Sequence, residues 1–116
     1  FFRFIGINED YRASGGSLYT VETHLRNLRE AGLGDPISMT LQVLGADAKR
    51  VHVAHEMFSG ATLLATCEQL LLHVDMAAGR AAAMPTWLSE RVQKIVHAHA
   101  GLSRPDWVGR VIGLPN

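Results

Sequence analysis

The chain has 116 residues with 11 Lys and Arg against 11 Asp and Glu, so its formal net charge is zero and it lacks the basic field that nucleic-acid binding requires. Its length suits one domain, and no run of about 18 uncharged apolar residues is present to span a membrane. The single cysteine, Cys67, excludes an internal disulfide and fits a reducing compartment, so a cytoplasmic location is expected.

The apolar opening Phe1, Phe2, Phe4 and Ile5 predicts the last turn of a buried helix, stopped by Gly6. A start of this kind, with Phe at position 1, reads as the end of an element that begins upstream. Asn8 is expected to cap a short turn, and residues 14–17, Ser-Gly-Gly-Ser, to form a flexible break. From residue 18 to 28, Tyr19, Val21, Thr23 and Leu25 alternate with Thr20, Glu22, His24 and Arg26, the period of a strand. Residues 29–34 turn a corner.

Ile37, Met39, Leu41 and Val43 form one face of a second strand. Residues 45–48, Gly-Ala-Asp-Ala, are predicted to reverse it, with Gly45 at positive φ. In a third strand Val51, Val53, His55 and Met57 face one way and His52, Ala54, Glu56 and Phe58 the other. A second break falls at Ser59-Gly60. The run 61–76 is rich in Ala, Leu, Glu and Gln, which favour helix by a few tenths of a kcal/mol per residue. A helix there would leave the preceding strands without a neighbour, so the run is assigned to a fourth strand, and the short links make a meander. After a break at Ala78-Gly79, residues 80–84 are expected to pair briefly. Thr86 is the predicted N-cap of a last helix with Leu88, Val92, Ile95, Val96 and His99 at helical spacing, Glu90 in its first turn and Gly101 at its end. The domain is thus expected over 1–100, with 101–116 an irregular tail.

A helix end followed by four antiparallel strands implies an α+β domain in which a sheet wraps one helix. Glu22 and His24 lie two apart on one strand face, where a carboxylate orients an imidazole for acid–base work; a solvent-facing pair is the plainer alternative. Thr23 points the other way, towards substrate or towards the helix. Glu56 and Glu68 belong either to a surface or to a cleft, and Cys67 is read as a small core residue. Of six histidines, His52 and His55 fall on opposite strand faces and His97 and His99 about 200° apart around a helix, so no metal site is expected. No Gly-x-Ser-x-Gly elbow occurs.

The segment Glu22-Thr23-His24-Leu25 with Leu28, the corner Gly34-Asp35-Pro36 and the hairpin at 43–50 resemble acyl-CoA thioesterases of the hotdog fold. Glu68, the sequence Leu71-Leu72-His73-Val74-Asp75 and the stretch 80–85 continue the likeness. The hairpin and His73-Val74-Asp75 are similar, more narrowly, to thioesterase domains that accompany carnitine dehydrogenases and act on betainyl-CoA. The resemblance implies a hotdog-like sheet around a central helix of which only the end is present, plus a C-terminal helix. It implies a homodimer or dimer of dimers, with acyl-CoA between subunits and no cofactor. In the family an Asp in a loop before that helix serves the reaction, and helix N-terminal N–H groups polarise the carbonyl. Both would lie upstream of Phe1, leaving Glu22 and His24 as auxiliary groups. Lys49, Arg50 and Arg80 are then the expected cations for coenzyme A phosphates. Tyr19, Phe58 and Trp87 are candidate rings, and Glu22 the charge, for a trimethylammonium; Thr23 is a further substrate contact. A non-catalytic acyl-thioester-binding or dimerisation module is the alternative.

Overall fold

The computed structural model describes residues 15–30, 32 and 34–109. Among these residues five strands, β1 (Gly16–Asn27), β2 (Ile37–Ala46), β3 (Arg50–Ser59), β4 (Thr62–Asp75) and β5 (Arg80–Ala81), are followed by one helix, α1 (Thr86–His99). They form one antiparallel sheet in the order β1-β4-β3-β2, with β5 alongside the end of β4. The ambiguous run at 61–76 is the central strand: pairing with β1 on one side and β3 on the other outweighs a helix preference of a few tenths of a kcal/mol per residue. The helix end expected at 1–5 and the turn at Asn8 lie outside the described residues. Among the described residues no helix is long and apolar enough to cross a membrane.

β3 and β4 are joined by Gly60-Ala61, and Gly60 takes φ 59° while Ala61 stays at negative φ, the arrangement of a type II′ hairpin. The β2–β3 turn differs from expectation. Gly45 is inside β2 opposite His52 and is not at positive φ. The reversal is made at residues 47–49 by a side chain instead. Asp47 Oδ1 accepts the N–H groups of Lys49 (3.0 Å) and Arg50 (2.7 Å), and Oδ2 accepts Nε (2.8 Å) and Nη2 (2.6 Å) of Arg50. The Arg50 side chain, then the two backbone donors, hold the Asp47 carboxyl down at about 2. An Asx-type acceptor replaces the conformational freedom that glycine would have supplied.

Three irregularities break the strand alternation. Val21, Leu44 and Leu64 each lack an opposite residue, in the β1–β4, β2–β3 and β3–β4 ladders respectively. An extra residue of this kind turns every side chain beyond it to the other face, relative to an unbroken ladder.

One sheet face carries the core. Leu18, Val43, Val51, Val53 and Leu71 are buried there against Met84 and against Leu88 and Val92 of α1, with Leu41, Ala46, Ile95 and Val96 packed around them. Full burial of such side chains contributes about 1.5–3 kcal/mol each. The N-cap of α1 is Pro85, not Thr86: Pro85 has φ −59° and ψ 154°, and its carbonyl accepts N–H of Leu88 and Ser89, both at 3.0 Å. Thr86 is the first helical residue, and no side chain caps the end. Proline's fixed φ suits this boundary, which moves Thr86 inside and leaves Glu90 beyond the first turn. His97 and His99 lie in the last turn, the end that favours positive charge.

The helix also closes an edge. Val43 N–H, on the outer side of β2, donates to His99 Nδ1 at 2.9 Å, and Gln93 Nε2 donates to Ala46 O at 3.2 Å. Beyond α1 the chain passes β2, where Gln42 Nε2 meets Ser103 O at 3.5 Å, and reaches the opposite sheet face.

Candidate functional site

The register assigns side chains to that second face in rows across the three longest-paired strands. Glu22, Leu70 and His52 form one row; His24, Glu68 and Ala54 the next; Arg26, Thr66 and Glu56 a third. An open cleft of about 640 Å³ lies over the first two rows, with Glu22, His24, His52, Glu68 and Leu70 in its lining and Gly109 of the C-terminal segment at its side.

Glu68 is the centre of the cleft's polar contacts. Its Oε2 is 2.7 Å from His52 Nε2, and its Oε1 accepts the Gly109 N–H at 2.7 Å. Burial raises the Glu68 carboxyl, but the Gly109 N–H, the His52 hydrogen bond and the nearby imidazoles of His52 and His24 together hold it below the ordinary carboxylate range. One row further, Trp107 Nε1 lies 3.4 Å from Glu56 Oε2. The C-terminal segment is therefore tied to this face at two carboxylates.

The expected site residues divide. Glu22 and His24 line the cleft together, as their spacing implies, but among the described residues no hydrogen bond or ion pair joins them; His24 stands opposite Glu68 instead. Tyr19 is half exposed at 51% and sits in the row of Leu72 and Arg50, and the Val21 irregularity brings it onto the face of Glu22 and His24 rather than that of Thr23. Thr23 is in the row of Gln69 and Val53, which belongs to the core face, yet Thr23 and Gln69 both contribute to the cleft lining. Lys49 and Arg50 occupy the β2–β3 turn, where the Arg50 guanidinium is engaged by Asp47. Arg80 is exposed opposite Asp75 at the β4–β5 pair. Phe58 is half buried at the far end of β3, opposite Ser38 and Leu63. None of Lys49, Arg50, Phe58 and Arg80 lines the cleft.

Sequence reasoning missed the pairing of His52 with Glu68 and the contribution of Gly109. His55, on the core face, has its imidazole pushed down by burial, against a hydrogen bond from Gln69. Burial pushes the Cys67 thiol up, away from thiolate reactivity. Among the described residues no three His, Cys, Asp or Glu side chains are grouped to hold a metal ion.

Comparison with known proteins agrees with the architecture. The family model of the Thioesterase-like superfamily matches residues 1–92. An L-carnitine dehydrogenase/betainyl-CoA thioesterase of a Rhizobium species is 43% identical over 113 residues, covering 96% of this chain but 23% of that protein, so the chain spans about a quarter of this relative's length. A betainyl-CoA thioesterase of Pseudomonas aeruginosa is 41% identical over 114 residues, covering 96% of this chain and 72% of that protein. Among solved structures, a hypothetical protein of Staphylococcus aureus in complex with CoA superposes with a TM-score of 0.89 at 23% identity, over 98% of this chain and 73% of that one. With the family model matched over most of the chain and an antiparallel sheet of the expected hotdog type, the chain belongs to the thioesterase-like superfamily.

Proposed function

We propose that the chain hydrolyses the thioester of a small acyl-CoA, with betainyl-CoA the foremost candidate, as a homodimer. The supporting observation is a cleft lined by two imidazoles, those of His24 and His52, and two carboxylates, those of Glu22 and Glu68, in a chain of this superfamily. Thioester hydrolysis moves a proton from attacking water to departing sulfur, and imidazole is the side chain suited to that transfer near neutral pH. Glu22 and His24 are assigned as auxiliary groups that position substrate. Glu68 is not a free nucleophile in this reading, because both its oxygens already accept hydrogen bonds. For a trimethylammonium acyl group, Tyr19, half exposed on the face of Glu22 though outside the cleft lining, is assigned the cation–π surface and Glu22 the counter-charge. Lys49, Arg50 and Arg80, outside the cleft lining, are assigned to the coenzyme A phosphates on their charge.

The dimer is assigned to β1. Its outer edge is unpaired among the described residues, and Val21 (49%) and Leu25 (58%) are exposed along it. The test is thiol release from acetyl-, propionyl- and betainyl-CoA by the full-length protein. Hydrolysis is expected, with His24→Ala raising KM more than it lowers kcat. Absence of turnover with all three would favour a non-catalytic acyl-thioester-binding module.

A further inference from the structure

We infer that Glu68 is a positioning residue for His52, and that the pair sets which imidazole nitrogen carries the proton in the cleft. This rests on the thioesterase reading for its catalytic use, but the geometry of the pair stands by itself. Glu68 reaches His52 diagonally, since the residue directly opposite His52 is Leu70 and the residue opposite Glu68 is Ala54. The contact is close, 2.7 Å, and both side chains are mostly covered, His52 at 31% and Glu68 at 18% exposure.

An ionised carboxylate only accepts hydrogen bonds, so the hydrogen between the two groups belongs to His52 Nε2. Neutral His52 is thereby held as the Nε2–H tautomer, and Nδ1, which makes no hydrogen bond among the described residues, keeps the lone pair. An imidazole fixed in this way is ready to accept a proton at Nδ1. In thioester hydrolysis the water O–H bond breaks to Nδ1 as the new C–O bond forms. The same proton passes to sulfur as the C–S bond breaks, giving the carboxylic acid and free thiol. Other charged and titratable groups on this face are Tyr19, Glu22, His24 and Arg26 on β1 and Arg50 and Glu56 on β3. His24 stands opposite Glu68 itself and is the nearest competitor for its charge.

The other oxygen of Glu68 provides a built-in control. A glutamine at this position retains a carbonyl that accepts the Gly109 N–H, while its amide NH₂ faces His52 and donates where the carboxylate accepted. Glu68→Gln therefore reverses the imidazole contact and leaves the C-terminal tether in place.

The experiment compares full-length wild type, Glu68→Gln and His52→Asn by ¹⁵N NMR of the histidine rings, ¹³C titration of the Glu68 carboxyl, and steady-state hydrolysis of acetyl- and betainyl-CoA. Expected results are an Nε2–H tautomer for neutral His52 in wild type that is lost in Glu68→Gln, and a Glu68 titration that moves up towards the ordinary range in His52→Asn. For Glu68→Gln, kcat should fall about 10²-fold, the lower end of what an acid–base side chain contributes, with little change in KM. An unchanged tautomer in Glu68→Gln would overturn the pairing. An unchanged kcat with an altered tautomer would overturn its use in the reaction. Wild type inactive on every thioester would refute the thioesterase reading and the catalytic use of the pair together, while the tautomer result would still decide the pairing alone.

Discussion

Leu88→Ala measures how far α1 depends on the sheet and the sheet on α1. Leu88 is fully covered, at 0% exposure, and shares its cluster with Val43, Val51, Val53 and Val92. Leu→Ala in a core costs about 2–5 kcal/mol, depending on how far the walls collapse into the space left. These walls are mostly valines, each held to one preferred rotamer by its branched Cβ, and three of them are fixed in paired strands. Little relaxation is available, which places the loss at about 3.5–5 kcal/mol, in the upper half of that range. A 14-residue helix is marginal by itself in water, so α1 offers no local stability in compensation. The loss is a large share of the about 5–15 kcal/mol that holds a typical domain together. Urea unfolding followed by circular dichroism should show a lower midpoint at constant slope. Lys94→Ala, exposed on the same helix, should stay within about 0.5 kcal/mol of wild type. A Leu88→Ala loss below about 1 kcal/mol would refute the claim that this packing holds the helix on the sheet.

Other outcomes follow from the turns and the helix end. Gly60→Val should cost about 1 kcal/mol or slightly more, since φ 59° disfavours a β-branched residue, whereas Gly45→Ala should leave the melting temperature nearly unchanged because its new Cβ meets nothing within 4 Å. Asp47 has a folded-state pKa of about 2 against an ordinary 3.8, so its stabilising contribution is complete above the ordinary value and disappears as pH falls through about 2. The stability gap between wild type and Asp47→Ala should accordingly close across that acid interval in a pH series of urea melts. His99→Ala removes the acceptor of the Val43 N–H and should cost about 1–3 kcal/mol, with faster hydrogen exchange at the Val43 amide as the direct measurement.

Strand identity was legible because alternation in residues 18–28, 37–44 and 51–58 is a local signal, and the same is true of the Ser59-Gly60 break. The site was only half legible, for a geometric reason. A two-residue hairpin without interruption would set His52 opposite Gln69 and Glu68 opposite Val53, on opposite faces. The unpaired Leu64 shifts the ladder by one, so that His52 and Glu68 share a face. Nothing in the composition around Leu64 announces that shift, which depends on how the strands coil together. Val21 does the same for Tyr19. Asp47 belongs to a segment recognisable as a turn, but a glycine such as Gly45, two residues before it, announces positive φ more plainly in a sequence than an aspartate announces an Asx acceptor. Gly109 lies 41 residues from Glu68, and no local pattern connects them.

The contact between α1 and β2 also shortens a receptive margin. β2 is the last strand of its side of the sheet, and His99 and Gln93 occupy the Val43 N–H and the Ala46 carbonyl near its end. An unpaired strand edge is a template on which another chain can add a strand. At that end of β2 the template is already filled by side chains of the helix, so an added strand could extend only along the part of β2 that precedes Val43. The helix that completes the core thus doubles as a guard on the sheet, and a truncation removing it would lengthen the exposed edge as well as open the core.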